Sequence, residues 1–446
     1  MNPSLGPAPQ SPLCQTVGEL DAVYNKIARR IIPFLVLLFF MAWLDRYNLG
    51  FAHLQMVKDL GFSEAVYGFG AGIVYFVYVL FEIPSNLFLE RIGARKTFAR
   101  ITILWGFTSI ATMFVKTAVQ FYVLRFLLGS FEAGLFPGVV LYLTYWFPAR
   151  GRALMQALFT TSIPLSVILG GPFSGWIMES MGGRAGLANW QWLFLLEGVP
   201  SIIVGLVALG VVVDKPSHAH WLTEREKQLV LADLESDRRE AGPRKHGLGE
   251  ALMLPQLWLV TMIYFCATSS NQTIGFWVPS IIQSLGVKSS FNIGLLSAIP
   301  YIVAVIGMAL VSQHSDRTRE RRYHSAIPFL VCALGLIGIG VFTTPTLAFT
   351  ALVLAVVGPL SGLPAFWEMP RALLAGTAAA GGIALINSIG MLSGWLGPSV
   401  VGWLADITGR TATGLYVVAG LEVLGAVLIL VFVPGRAVAT SGTAPK

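Results

Sequence analysis

The chain has 446 residues, of which 55% are hydrophobic and 12% are charged. Soluble globular domains carry about 25% charged residues. The apolar residues here are gathered in blocks comparable to the roughly 20 residues that a helix needs to cross a bilayer. The composition therefore excludes a soluble globular protein and predicts a protein with many membrane-spanning helices. Residues 1–25 contain no apolar core that would indicate a cleavable signal peptide, and we expect a flexible tail there.

Twelve apolar blocks of spanning length follow one another and fall into two groups of six, separated by a polar stretch. The sequence thus predicts an all-α membrane protein with twelve transmembrane helices in two pseudo-symmetric six-helix bundles. The blocks lie near 31–53, 66–89, 98–115, 119–146, 152–178, 190–213, 256–283, 291–313, 325–343, 347–367, 374–401 and 413–434.

The basic residues indicate the orientation of the chain. The loops on one side of the predicted membrane hold 23 Lys and Arg residues, and those on the other side hold five. Cytoplasmic loops of membrane proteins are enriched in these residues, so both termini are predicted to be cytoplasmic, with the protein in the cell (inner or plasma) membrane. The net charge of +7 is then a topology signal, and nucleic acid is not an expected partner.

The predicted organisation has five parts. Residues 1–25 form a cytoplasmic tail, 26–213 the N-terminal bundle, 214–252 a cytoplasmic linker, 253–435 the C-terminal bundle and 436–446 a second cytoplasmic tail. Within the linker, "WLTEREKQLVLADLE" is typical of a short amphipathic helix. Thr223 and Glu226 have the spacing of a capping box at its start. We expect this helix to be solvated and close to the membrane surface.

The two halves contain matching segments. "GPFSGWIMESMGGR" begins at Gly171 and "GPSVVGWLADITGR" begins at Gly397, while "ERIGARK" from Glu90 is matched by "DRTRERR" from Asp316. Both pairs have the same offset of 226 residues. Two duplicated six-helix halves are a transporter architecture, with the substrate site near the membrane midplane between them.

Four ionisable residues lie at predicted membrane depth: Asp45, Arg46, Arg125 and Glu132. Such groups are costly in a membrane and by default mark function. Arg125 and Glu132 are two helical turns apart and so share one helix face. One interpretation is that the four groups only neutralise one another as structural ion pairs. The other is that a proton on an acid frees an arginine, which then holds a substrate carboxylate through two parallel hydrogen bonds.

Several segments resemble those of a known family. "NLFLERIGARK" resembles the loop signature of the major facilitator superfamily. "LDRYNLGFA", "RFLLGSFEAGLFPG" and "GTAAAGGIALINSIGMLSGWLGPSVVGWLADITGR" resemble its anion:cation symporter family, which carries tartrate, aromatic acids, sugar acids and other carboxylates. The resemblance implies proton coupling for Asp45 and Glu132. It implies substrate binding or charge balance for Arg46 and Arg125.

Other polar and aromatic residues in the spans are weaker candidates for substrate contacts. Tyr78 is expected either to line the cavity or to pack as an ordinary aromatic residue. Trp367 is expected to stack on substrate or to anchor the helix at the membrane interface. The resemblance implies a substrate contact for Asn387, with an interhelical hydrogen bond as the alternative. Asn271 belongs to a polar cluster in the seventh block.

The charged residues of the repeated loop are expected to act as a gate on the cytoplasmic face. Contacts there that form and break would bias the protein between inward-open and outward-open states, and plain topology signalling is the alternative. The candidates are Glu90, Arg91, Arg95, Asp316, Arg317 and Arg321. Two further acids, Glu82 and Glu197, are expected to cap or pair at helix ends, and the sequence gives no role for Glu422.

The predicted function is proton-coupled symport of a small organic carboxylate into the cell by alternating access. The alternatives are an organic-anion exchanger or exporter, and a nutrient sensor that has lost transport. The sequence contains no phosphate-binding loop and no His or Cys metal cluster, so neither enzyme activity nor a metal or other cofactor is expected. A monomer is expected because one chain holds both halves. Its expected partners are the carboxylate, protons and membrane lipid.

Overall fold

The computed structural model describes residues 12–241, 252–373 and 378–433. The regular structure of these residues is entirely helical. The α-helices are α1 Pro12–Leu60, α2 Glu64–Ile92, α3 Ala94–Thr112, α4 Ala118–Glu132, α5 Leu135–Trp146, α6 Ala149–Thr160, α7 Ser162–Ser180, α8 Asn189–Val211, α9 Glu224–Ala241, α10 Pro255–Ser284, α11 Ser290–Thr318, α12 Arg322–Val341, α13 Pro345–Leu373, α14 Ala378–Met391, α15 Ser393–Thr408 and α16 Thr411–Phe432. Two short 3-10 helices occupy Arg184–Gly186 and Pro216–His218.

These helices form the twelve predicted spans. Spans 4, 5 and 11 are each made of two helices, namely α4 with α5, α6 with α7 and α14 with α15, whereas α9 is the linker helix. Ten spans are long and apolar enough to cross a membrane by length and composition. The other two are span 3 and span 7 (α3 and α10). Span 7 is less apolar because it carries a row of buried hydroxyl and amide side chains, including Thr268, Ser270 and Gln272.

The two halves meet at one membrane face. We call the face where α1 begins and α16 ends the terminal face. The opposite, distal face carries the connections 61–63, 113–117, 181–188, 285–289, 342–344 and 409–410. Towards the distal face, span 5 packs against span 8 and span 2 packs against span 11. The largest apolar core runs through the N-terminal half and across this contact, and a second cluster fills the terminal part of the C-terminal half.

Glycines make the distal contact possible. A Cβ on Gly175 would lie 2.4 Å from the backbone oxygen of Ser290 in span 8. In the matching segment of span 11, a Cβ on Gly402 would lie 2.1 Å from the backbone oxygen of Glu64 at the start of span 2. Small residues let membrane helices approach this closely. The repeated segments that begin at Gly171 and Gly397 therefore both lie at the distal contact between the halves.

The linker helix docks onto the N-terminal half. Its predicted capping box is present, because Glu226 N donates to Thr223 Oγ1 over 3.3 Å and Thr223 N donates to Glu226 Oε2 over 2.7 Å. Glu226 also pairs with Lys26 over 2.8 Å. Asp233 accepts hydrogen bonds from Tyr24 and Arg150 over 2.7 and 2.8 Å. The helix is thus fixed to the terminal face of spans 1 and 5.

The same contacts correct the predicted N-terminal boundary. Helix α1 begins at Pro12, whereas a flexible tail was predicted over 1–25. Glu19 pairs with Arg225 over 2.7 Å, and Tyr24 bonds to the linker helix, so these residues have partners that the local sequence does not reveal. Residues 1–11 and 242–251, the C-terminal tail 436–446 and the start of the eleventh predicted block, at 374–377, lie outside the described residues.

Candidate functional site

The four charged residues predicted at membrane depth lie together in the interior of the N-terminal half. Asp45 and Arg46 come from span 1, and Arg125 and Glu132 come from span 4. Each is at most 7% exposed. None of them faces lipid. The two acids and two guanidinium groups that the functional interpretation of the sequence requires therefore lie inside the protein.

Arg46 and Glu132 form a direct ion pair. Arg46 Nε lies 2.8 Å from Glu132 Oε1. The guanidinium group is also surrounded by aromatic rings, with its Cζ 4.9 Å from the Trp43 ring centre, 5.4 Å from that of Tyr75 and 5.5 Å from that of Tyr78. Cation–π contacts of this kind stabilise a desolvated positive charge by about 2 kcal/mol. Tyr78 is therefore part of the box around Arg46.

A break in span 4 places Glu132 at a helix end. Helix α4 ends at Glu132, and α5 starts at Leu135 after Gly134. Gly134 has φ of 85°, and a Cβ there would lie 2.6 Å from Ser85 Oγ. Both features favour glycine. Discontinuous helices commonly occur at the ion and substrate sites of membrane transporters.

Asp45 faces span 3 and its own helix. Its carboxylate accepts a short hydrogen bond from Ser109 Oγ and a second one from Asn48 Nδ2 over 3.3 Å. Asp45 and Arg46 are adjacent in sequence, but their side chains point to different helices, as successive residues of a helix do. The two carboxylates of the cluster therefore have different environments.

Of the two arginines in the charged cluster, Arg125 is the one with a buried donor that lacks an acceptor in the described part of the chain. Its Nε donates to the backbone oxygen of Gly70 over 3.2 Å. The carboxylates of Asp45 and Glu132 both act on its positive charge. Its Nη2 atom is buried and has no acceptor among the described residues. A buried guanidinium donor without an acceptor is costly to leave unpaired, and a carboxylate is the ligand that matches its geometry.

The C-terminal half contributes uncharged groups to this region. Gln272 Oε1 accepts a hydrogen bond from Tyr75 over 3.0 Å, which joins span 7 to the aromatic box. The predicted residue Asn271 is adjacent to Gln272 and half-buried. Tyr301 of span 8 packs on Tyr47 of span 1 with ring centres 5.9 Å apart. Gln272 is thus an amide of span 7 that contacts the N-terminal half, and Asn271 stays a prediction.

Trp367 and Asn387 lie around Tyr264, nearer to the terminal face. The rings of Trp367 and Tyr264 are 4.7 Å apart, and Tyr264 stacks on Phe366 at 5.3 Å. Tyr264 OH donates to Asn387 Oδ1 over 3.5 Å. These two predicted residues therefore share one aromatic cluster, whereas their described contacts do not include the charged cluster. Sequence reasoning missed Tyr264, the residue that joins them.

As far as the described residues show, the predicted gate residues make no hydrogen bond or ion pair with the opposite half. Asp316 Oδ1, in the last turn of α11, lies 2.7 Å from Arg321 Nη1 in the connection to α12. The backbone N–H of Arg95 donates to Asp214 Oδ1 over 2.9 Å. Glu90, Arg91 and Arg317 are exposed. In this state the halves are held together at the distal face and not through these charges.

Comparisons with known proteins are consistent with this architecture. Residues 35–394 match the model of the Major Facilitator Superfamily. The chain is 46% identical to a putative tartrate transporter of Agrobacterium vitis, over 93% of this chain and 92% of that protein. It is 37% identical to a quinolone resistance transporter of Acinetobacter baumannii, over 91% of this chain and 94% of that protein.

A solved structure shows the same fold. The crystal structure of a D-xylose-proton symporter superposes with a TM-score of 0.70 at 16% identity, over 92% of this chain and 99% of that chain. The predicted fold and the predicted superfamily are both confirmed. The chain therefore belongs to the Major Facilitator Superfamily and is a multi-pass membrane transporter, not an enzyme.

Proposed function

We propose that this protein is a proton-coupled symporter that carries a small organic carboxylate into the cell. The observation that carries the proposal is the buried Nη2 donor of Arg125, which has no acceptor among the described residues, beside the buried acid Asp45. The name of the tartrate transporter relative supports a carboxylate substrate.

The proposed coupling follows from charge balance. While Asp45 is ionised, its negative charge stabilises the positive charge of Arg125. A proton on Asp45 removes that charge and leaves the guanidinium of Arg125 uncompensated in a buried site, which is costly. A substrate carboxylate restores the balance through two parallel hydrogen bonds. Proton and anion therefore favour each other's binding, and this linkage is reciprocal.

Glu132 has a second part in the proposal. It is the direct ion-pair partner of Arg46, inside an aromatic box that includes Tyr78. Protonation of Glu132 frees Arg46 in the same way that protonation of Asp45 frees Arg125. Because the four groups are coupled, their protons bind to the cluster as a set. A substrate with two carboxylates has one arginine available for each.

The C-terminal half is proposed to hold the uncharged part of the substrate. Trp367 and Asn387, around Tyr264, provide an aromatic face and an amide. Asn271 and Gln272 of span 7 provide further amide groups opposite the arginines. Alternating access then consists of rocking the bundles 26–213 and 253–435 about this site. In the distal-open state, the charged gate residues, including Asp316 and Arg321, are proposed to hold the two halves together at the terminal face.

The proposed orientation places both termini and the linker in the cytoplasm of a cell with the protein in its inner or plasma membrane. It rests on the 23 basic residues on one side against five on the other. A functional monomer is proposed because one chain contains both halves of the site.

A second candidate function is export of an organic anion. The relative named as a quinolone resistance transporter favours it, because quinolone resistance can arise from export. The same charged cluster can serve an exchanger that moves no net proton. A transport-inactive sensor, in contrast, has no need for the acids of the cluster.

Transport into reconstituted vesicles tests these candidates. Vesicles with an inward proton gradient should accumulate radiolabelled tartrate or another carboxylate found in a binding screen. A matched sodium gradient without a proton gradient should give no accumulation. Uptake that ignores both gradients but depends on a carboxylate inside the vesicle contradicts symport and supports exchange. Binding without any transport supports the sensor.

A further inference from the structure

A cavity at the terminal face lies between the start of span 1 and the segment that leads into the linker helix. It encloses about 580 Å³, which is in the size range of ligand sites in proteins. Its lining includes the basic residues Lys26, Arg29 and Arg30 of α1 and the side chain of Trp221. We call this cavity the basic groove. It contains none of the residues that the proposed transport mechanism uses.

The positive charge of the basic groove is only partly compensated. Lys26 is paired with Glu226 of the linker helix over 2.8 Å. Arg29 and Arg30 are exposed, and among the described residues neither of them forms an ion pair with an acid. Two guanidinium groups on one side of the cavity are therefore available to an anion from outside the chain.

Trp221 holds one of these guanidinium groups in place. Its ring stacks on that of Trp146 with ring centres 5.7 Å apart and an angle of 9° between the planes. Trp146 is completely buried in the N-terminal half, so the Trp221 ring has a firm support. The Cζ atom of Arg30 lies 5.6 Å from the centre of the Trp221 ring. A guanidinium group stacked on an aromatic ring keeps its N–H donors for a phosphate or carboxylate.

The basic groove lies at the end of a lipid-facing surface. Lys26, Arg30, Pro33 and Leu37 recur at intervals of four, three and four residues, so they share one face of α1. Pro33 and Leu37 are exposed within the apolar part of span 1, where an exposed side chain contacts lipid. At 1.5 Å per residue, Arg30 is about 10 Å from Leu37 along the helix. An anionic group held by Arg30 is therefore close to the acyl chains that cover this face.

We propose that the basic groove binds the headgroup of an anionic phospholipid, whose acyl chains lie along the exposed face of span 1. The phosphate oxygens accept paired hydrogen bonds from Arg29 and Arg30. Trp221 lies at the level of the headgroups, where tryptophan is enriched in membrane proteins. A zwitterionic headgroup fits less well, because its own ammonium group balances the phosphate. Since span 1 and the linker segment both line the groove, the bound lipid also stabilises docking of the linker.

Lipid binding to the purified full-length protein in a nonionic detergent tests the proposal. Native mass spectrometry measures the binding of phosphatidylglycerol and phosphatidylcholine, and thermal unfolding measures the effect of each on Tm. Phosphatidylglycerol should bind more tightly and raise Tm, whereas phosphatidylcholine should do neither. Equal binding of the two lipids overturns the proposal. Glycerol 3-phosphate has no acyl chains and should not raise Tm, and stabilisation by it equal to that by phosphatidylglycerol overturns the assignment to a lipid.

A double variant distinguishes the groove from general attraction by a basic surface. Arg29→Gln combined with Arg30→Gln should weaken phosphatidylglycerol binding about 25-fold, since a basic residue near an anionic lipid surface contributes about fivefold in affinity. The matched control is Lys96→Gln combined with Arg319→Gln, which removes the same charge from exposed positions of the terminal face outside the groove. The control should leave the affinity almost unchanged. Equal losses in the two double variants contradict the proposal.

A single variant covers the case that the double variant does not fold. Trp221→Ala leaves every charge in place but removes the ring beside Arg30, so the affinity for phosphatidylglycerol should fall about threefold. Trp258→Ala removes an exposed indole from the same membrane face outside the groove and should leave the affinity unchanged. An unchanged affinity in Trp221→Ala overturns the proposed groove. These measurements need no transport, so they decide the lipid site even if the vesicle experiments reject proton-coupled symport.

Discussion

Glu179 and Asp406 occupy equivalent positions in the two repeats, and each caps the first turn of a helix in the opposite half. Asp406, near the end of span 11, accepts hydrogen bonds from the backbone N–H groups of Glu64 and Ala65, both over 2.9 Å. Glu179, at the end of span 5, accepts from Phe291 N over 2.9 Å and from a serine hydroxyl over 2.6 Å. Acids are favourable at helix N-termini. The two carboxylates therefore lock the distal face.

Neutralising these acids should open the distal face. In Glu179→Gln combined with Asp406→Asn, both charge–helix interactions are lost, so the distal-open population should rise. Spin labels at Arg184 and Lys288, which are exposed on opposite halves of this face, should report a longer distance. Glu235→Gln removes an exposed carboxylate from the linker helix and should leave the distance unchanged. An unchanged distance in the double variant contradicts the lock.

A methyl group at the helix contacts should prevent closure of the same face. Gly402→Ala and Gly175→Ala place a Cβ within 2.1 and 2.4 Å of backbone oxygens of the opposite half. Backbone atoms cannot rotate away, so the halves must separate and transport should fall strongly. Gly420→Ala is the control, because a Cβ there meets nothing within 4 Å. Uptake assays and the same label distances check this, and wild-type uptake in Gly402→Ala is the contradicting result.

Arg125→Gln should abolish carboxylate binding. The loss of a buried, hydrogen-bonded charge typically costs about 2–5 kcal/mol, which corresponds to a more than 25-fold weaker Kd. Arg125→Lys keeps the charge without the paired donors and should bind with intermediate affinity. Calorimetry with the carboxylate identified in a thermal-shift screen measures both effects. Arg410→Gln, at the exposed distal face, is the control, and retained affinity in Arg125→Gln removes Arg125 from the site.

Asp45→Asn should separate transport from the proton gradient. The variant resembles the protonated acid permanently, so Arg125 stays available and exchange of substrate across the membrane should continue. Accumulation driven by a proton gradient should be lost. Asp59→Asn is the control on the same helix, because Asp59 accepts a hydrogen bond from Trp190 outside the cluster. Accumulation by Asp45→Asn at the wild-type level would falsify the proposed role of Asp45.

Docking of the linker helix should weaken only in acid. The hydrogen bond from Lys26, followed by that from the Thr223 backbone N–H, holds the pKa of Glu226 below its usual value. A lowered pKa means that the pairing stabilises docking at neutral pH and is lost as the pH falls through that lowered value, which lies below the ordinary pKa of a Glu side chain. Relative to the intrinsic exchange rate at each pH, the backbone amides of residues 224–241 should therefore stay protected at neutral pH and lose protection only in acid. In Glu226→Gln this acid-dependent step should shrink, whereas in Glu224→Gln it should remain.

The number and order of the spans could be predicted because a bilayer sets the length of an apolar helix. The breaks in spans 4, 5 and 11 could not be predicted. In span 4, for example, Gly134 differs from the other glycines of the spans in its positive φ, which the sequence does not reveal. The start of α1 was also missed. Glu19 and Tyr24 are held by linker residues about 200 positions away, and no local pattern records such contacts.

The charged members of the site could be predicted because charges in a membrane are costly and therefore conspicuous. The pairing of Arg46 with Glu132 could not be predicted, because it depends on how spans 1 and 4 are rotated about their helix axes. Tyr264 was missed since an aromatic residue in an apolar helix has no distinguishing signal. The polar cluster around Asn271 was recognised in the sequence, but Asn271 rather than Gln272 was chosen from it as a site residue. Glu197 was assigned to a helix end, although its burial against span 1 appears only when the helices are packed.

The separation of charge between the halves has an evolutionary consequence. The groups proposed to couple transport to protons, Asp45, Arg46, Arg125 and Glu132, all belong to one half, whereas Gln272, Tyr264 and Trp367 belong to the other. Under the proposed function, mutations in the second half alter which substrate is recognised and leave the coupling groups unchanged. One ancestral transporter could in this way give rise to descendants that carry many different substrates.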